Sequence, residues 1–157
     1  MTGSRITALL AGAFMLFGPG GALAQSADPL KAAEERQASM KQQGKDMEAV
    51  KAYLDGKAEL PAAQTAADDL DKAIAKIPSL APAGTGMDKL PGKSWAKPAI
   101  WSEPDKFQAA HKNAQAKADA LNAAVKGGDK AAITAAFGDM GKSGCGGCHT
   151  DFREKKT

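Results

Sequence analysis

The two cysteines of this 157-residue chain stand three positions apart and run straight into a histidine, as Cys145-Gly146-Gly147-Cys148-His149, close to the carboxyl end. On a helix, residues three apart lie on one face about a turn from each other, so a helical setting lets the two thiols and the imidazole act on one object. The rest of the chain agrees with that setting. Aromatic residues make up only 5% of it, β-branched residues are scarce, and Ala, Lys, Asp and Glu are plentiful; these lose little side-chain freedom on entering a helix. The chain is therefore expected to be all-α, and its length fits a single domain.

The first 24 residues read as an address. Arg5 gives a positive start, Ile6 to Phe17 is apolar, and Ala22-Leu23-Ala24 is a small-residue cleavage site before Gln25. That is the pattern of a secretory signal peptide, residues 1–24. Its apolar run is well short of the roughly 20 residues that cross a bilayer, and no later stretch approaches that length. Residues 25–157 are then one domain, expected in the periplasm with no membrane span after processing.

Proline, glycine and capping residues divide that domain into four helices. Asp28-Pro29 opens the first, an N-cap followed by a proline whose missing N–H costs nothing there. It should run to about Leu54, with Ala33, Met40, Met47 and Leu54 recurring every seven residues, Arg36 and Val50 near the same stripe, and Gly56 as the stop. Pro61 starts a second helix whose inward positions are Ala63, Ala66, Ala67, Leu70, Ile74 and Ile77, closed by Pro78. Residues 78–101 hold four prolines and three glycines, so a long irregular connection is predicted, pinned by Trp95, Ile100 and Trp101. Ser102 reads as the N-cap of a third helix through Phe107, Leu121 and Val125, ended by Gly127-Gly128. Asp129 caps a fourth, whose Ile133, Phe137 and Met140 face inward ahead of the cysteine motif. Short joins and one long connection, between helices two and three, fit an antiparallel four-helix bundle. Its core is thin in large side chains, and a bound apolar cofactor would give the helices more surface to cover.

The motif itself allows four chemistries. A thioredoxin-type redox pair wants its cysteines at a helix start within a βαβ pattern, which an all-α chain lacks. A structural zinc site needs four ligands, and beyond Cys145, Cys148 and His149 the only histidine is His111. A disulfide closing so short a loop adds little stability. Covalent haem attachment uses every residue: two thioethers from Cys145 and Cys148 to the vinyl groups of one haem c, and His149 on the iron. A second axial donor could come from Met40, Met47, Met87, Met140 or His111. Met140 belongs to the motif's own helix and Met87 to the loop, His111 reads as a solvent-facing helix residue, and the front of helix one lies beside the back of helix four. Met40 is thus the candidate sixth ligand, or else a core side chain that fills space above the haem. The net charge of +3, with both signs mixed along the chain, gives no basis for nucleic-acid binding.

Beyond the motif, Arg36-Gln37-Ala38-Ser39-Met40-Lys41, Pro98-Ala99-Ile100-Trp101-Ser102 and Cys148-His149-Thr150-Asp151-Phe152-Arg153 resemble segments of the class II cytochromes c, the group of cytochrome c′ and its low-spin relatives. The resemblance covers almost the whole mature chain. It implies a four-helix bundle with one covalent haem c, His149 as fifth ligand, Arg36 beside a haem propionate and Arg153 near the proximal face. One departure stands out: Gly144 lengthens the stretch just before Cys145.

The family contains two mechanisms. In its low-spin members a first-helix methionine closes the sixth position and the protein carries single electrons between periplasmic partners. In cytochrome c′ that position is open and takes NO or CO. Met40-Lys41 followed by Gly44-Lys45-Asp46-Met47 looks more like the low-spin members, so His149/Met40 ligation and electron transfer are expected, with gas binding as the alternative. An enzyme such as a peroxidase would want polar groups about Met40, and the sequence suggests none. Members of the family often pair, so a homodimer is a further expectation.

Overall fold

The computed structural model describes residues 28–155, and the segment expected to be a signal peptide, residues 1–24, lies outside them. Helix α1 spans Pro29–Leu54, and the Asp28 carboxylate accepts from the Leu30 N–H at 2.9 Å. A short turn leads to α2, Leu60–Ala75, which begins one residue before Pro61. It ends earlier than the periodicity predicts, because Ile77–Leu80 tightens into a 3₁₀ turn with Pro78 inside it; a proline cannot donate to the preceding turn. After the long connection, α3 is one turn, Ala99–Ser102, and α4 is Pro104–Gly127.

Here the sequence reading needs correction. Ser102 closes α3 through its N–H on the Pro98 carbonyl (3.1 Å), and the N-cap of α4 is Glu103, whose side chain does not cap but pairs with Lys106. Gly128 ends α4 in the left-handed region, φ 76°, a conformation cheap only for glycine. Asp129 caps α5, Lys130–Asp139, by accepting from the Ala131 N–H at 2.9 Å. The fourth helix is not continuous: a π-helical segment, Met140–Gly146, separates α5 from α6, Gly147–Phe152.

Helix α1 packs on α2, α2 on α4, α4 on α5 and the π segment, and α5 back on α1, which closes a four-helix bundle. Val50, Leu70, Leu121, Val125, Ile133 and Met140 are fully buried in it, and Ala63, Ala67 and Ala118 keep the seams narrow. A second, smaller cluster gathers Ala96, Ile100 and Phe152, with Phe107 edge-on to Phe152 at 5.3 Å. Ala96 and Ile100 come from the 78–101 stretch and Phe152 from α6. That stretch is held by the Trp101 indole N–H on the Ala81 carbonyl (3.0 Å) and by backbone bonds Lys97 N–H to Phe152 O (3.0 Å) and Glu154 N–H to Trp95 O (2.8 Å). The segment after α6 is thereby laced to residues 95–97. Among the described residues no helix is long and apolar enough to cross a membrane.

One buried charge works against this fold. Asp46 is 5% exposed; one carboxylate oxygen accepts from Gln42 at 2.8 Å and the other has no partner. Burial pushes its pKa up, outweighing the Gln42 bond, and Asp69 adds to the rise. The folded protein therefore binds this proton more tightly than the unfolded chain, so this contribution is present at low pH and is lost as pH rises from the ordinary carboxylate range through the raised value. Asp46→Asn keeps an acceptor for Gln42 and removes the charge. It should stabilise the protein at neutral pH by about 1 kcal/mol and flatten that part of the pH dependence, both read from urea unfolding at pH 4 and pH 7.

Candidate functional site

Between α1, α6 and the long connection lies a cavity of about 550 Å³, within the size range of cofactor sites. Helix α1 brings Arg36 and Met40 to it, α4 brings Phe107, and α6 brings Cys148, His149 and Phe152. Ile77, Trp95 and Ile100 complete an apolar wall, and Arg153 stands at its edge. A small adjoining space of about 30 Å³ is shared by Met40, Cys145, Cys148 and His149. The candidate residues thus converge from helices at opposite ends of the chain.

Their chemistry suits an apolar cofactor with thiol-reactive edges. Both cysteines are free and half-buried. Burial raises both thiols, and the Cys148 thiol is raised further by Cys145 and Asp151. Burial lowers the His149 pKa, and the charge of Arg153 lowers it further, which favours the neutral imidazole that a metal needs. Arg153 itself is exposed, and its N–H returns to the His149 carbonyl at 3.1 Å.

Arg36 is 7% exposed. Its guanidinium donates to Leu80 O (2.9 Å), Thr85 Oγ1 (2.8 Å), Thr85 O (2.8 Å) and Ser94 Oγ (3.1 Å), all in the long connection. Every one of these acceptors is neutral, and burial lowers the arginine pKa. A buried cation with no carboxylate among its bonds, on the wall of an apolar cavity, fits a site built for a cofactor with acidic substituents. Together with the thiol pair and the neutral histidine, the donor set matches haem c.

Several wall residues escaped the sequence reading. His111 is not solvent-facing: it is half-buried, lines the small space, and its Nε2 lies 3.0 Å from the Ile74 carbonyl. Two amides stand near Met40 where none was expected. Gln37 lines the large cavity and donates to Lys93 O at 2.8 Å, while Gln43 is buried, lines the small one and donates to Ser39 Oγ at 3.2 Å. Both lie on the face of α1 that carries Met40, three residues to either side of it, and that spacing was the available signal. Met47 packs toward the π segment, and Met140 is sealed in the core, so neither shares Met40's place on the cavity wall.

Known proteins resemble this chain in sequence and fold. Residues 31–153 match the family model described as Cytochrome C′. A cytochrome c′ of Rubrivivax gelatinosus is 44% identical over 108 residues, covering 68% of this chain and 81% of the relative. The crystal structure of cytochrome c′ from the same organism superposes with a TM-score of 0.71 at 34% identity, over 82% of this chain and 98% of that one. A nitric oxide complex of a variant cytochrome c prime from Alcaligenes xylosoxidans aligns with a TM-score of 0.72 at 27% identity, over 83% and 98% of the two chains.

Proposed function

Because the chain belongs to the cytochrome c′ family, we propose that it is a periplasmic haem protein whose iron is held by His149 on one face and takes a small diatomic gas, NO or CO, on the other. The family's cofactor is one covalently attached haem c. When bound, that group supplies an iron that changes by one electron and accepts a gaseous ligand on a free face. The chain's own residues do the rest. Cys145 and Cys148 fix the group by thioethers, His149 offers a neutral ring nitrogen, and Arg36 answers a propionate. Phe107, Ile77 and Ile100 exclude water, and Met40 guards the free face without bonding it.

The observation that carries this reading is the convergence of Met40, Arg36 and the Cys148-His149 pair on one apolar cavity in a chain whose relatives include several cytochromes c′, a variant of one of them held as a nitric oxide complex. The relatives favour gas binding over the six-coordinate electron carrier expected from Met40-Lys41. Single-electron exchange with periplasmic redox proteins is compatible with both.

Visible spectra of the oxidised and reduced protein, with and without CO, decide between them. Gas binding expects a high-spin ferrous spectrum that shifts on adding CO or NO, and a Met40→Ala variant that associates with the gas faster while keeping its spin state. A low-spin spectrum indifferent to CO, turned high-spin by Met40→Ala, would instead make Met40 the sixth ligand and overturn the proposal.

A further inference from the structure

We propose that the π-helical segment Met140–Gly146, which runs into the motif at Cys145, is a register compensator, absorbing one residue too many so that Cys148 and His149 face the cavity and Cys145 the small space beside it. The inference rests on haem attachment at that motif, and it makes the residue count of this segment, rather than any one of its side chains, what aims the thioethers.

The spacing of buried positions carries the argument. Ile133 in α5 and Phe152 in α6 are both buried, 0% and 5% exposed, the first in the main core and the second in the cluster at the cavity, and α5, the π segment and α6 all pack on α4. Phe152 follows Ile133 by 19 positions, whereas five turns of regular α-helix take up about 18. In an unbroken helix the extra residue would rotate everything after it by about 100°, carrying Cys148 and His149 off the wall they share with Arg36 and Met40. A π turn, with its i→i+5 bonds, holds more residues per turn and removes the excess within one local widening.

The side chains around the segment are arranged for such a turn. Its widened ladder frees backbone carbonyls, and the Asn113 amide of α4 donates to the Ser143 carbonyl at 2.8 Å. Asp139, at the junction, is paired with Lys117 of α4 at 2.6 Å. Met140 is fully buried, and its Sδ would lie 2.9 Å from a Cβ at position 144. A Cβ at position 146 would come within 3.2 Å of the Gly141 carbonyl. Glycine at both places lets the wide turn close on itself and on Met140. The surplus residue is therefore accommodated inside the helix rather than extruded as a loop.

Two length variants, produced with the haem-attachment machinery of an exporting host, test this against the unaltered protein. Deleting Gly144 leaves a count that regular helix satisfies, so both thioethers should form as before. Adding one alanine between Ser143 and Gly144 should turn the motif away, and two-thioether attachment should be lost. Attachment is read from intact mass and from the α-band of the reduced alkaline pyridine complex, which separates one thioether from two; far-UV circular dichroism reports whether each variant is folded. Loss of attachment in a folded deletion variant, or full attachment in the insertion variant, overturns the register role. Absence of covalent haem from the unaltered chain would instead strike at the functional reading beneath it.

Discussion

A Cys145→Ala/Cys148→Ala chain exported under the same conditions should carry no covalent haem and should lose its cooperative thermal transition. The site's two anchors are the only cysteines present, so nothing else can substitute for them. The loss should extend beyond the cofactor. A cavity of about 550 Å³ walled by Ile77, Ile100, Phe107 and Phe152 is too large to remain open in a small bundle whose seams are lined by alanine. A haem and the apolar wall it covers would together leave water over a few hundred Å², and at about 25 cal/mol per Å² that is several kcal/mol, comparable with the whole stability of a domain this size, about 5–15 kcal/mol. Circular dichroism should show helix content reduced and a broad, shallow melt. A single Cys145→Ala variant should keep His149 and one thioether, and should fold. A double variant that melts sharply near the temperature of the unaltered protein would show that the bundle does not depend on its cofactor.

That dependence is partly visible in the sequence. Cys145, Cys148 and His149 are legible because covalent chemistry fixes their spacing, and the seven-residue stripe of α1 places Met40 on a buried face because helical periodicity is local. Asp28 and Asp129 cap as their residue types predict. What stayed hidden depends on distance or on register. Ser102 has the right residue type to cap a helix, but its backbone is already taken by the preceding turn from Pro98. The partners of Arg36 lie 44 to 58 residues away, in a stretch whose sequence announces only irregularity. His111 looks like a solvated helix position until Ile74 is brought against it. The π segment is the clearest case: a run of glycines suggests a loosened helix, and only buried residues on both sides of it reveal that one residue has been absorbed.

Replacing Arg36 by methionine should cost the haem-loaded protein about 3–5 kcal/mol, a loss in the range reserved for broken buried networks. Four donated bonds tie α1 to Leu80, Thr85 and Ser94, and bonds to a charged group are each worth about 1.5–3 kcal/mol before their mutual dependence is counted. Part survives the change. Ser94 Oγ still donates to the Thr85 carbonyl at 2.7 Å, and the Thr85 hydroxyl to Pro82 O at 2.8 Å, but the bond to the Leu80 carbonyl is lost. Arg36→Lys should not rescue, because one ammonium on a flexible stem cannot reproduce a planar fork reaching acceptors at positions 80, 85 and 94. The expected result is a lower urea midpoint together with faster proteolysis between residues 80 and 94. A propionate partner makes a further demand. The guanidinium meets no carboxylate in its own bonds, so an acidic haem substituent would offset the cost of burying it, and Arg36→Met should lower the reduction potential of the haem-loaded protein, because a positive charge beside that substituent is removed. An unchanged potential would confine Arg36 to holding the loop, and an Arg36→Lys protein as stable as the original would refute the four-acceptor account altogether.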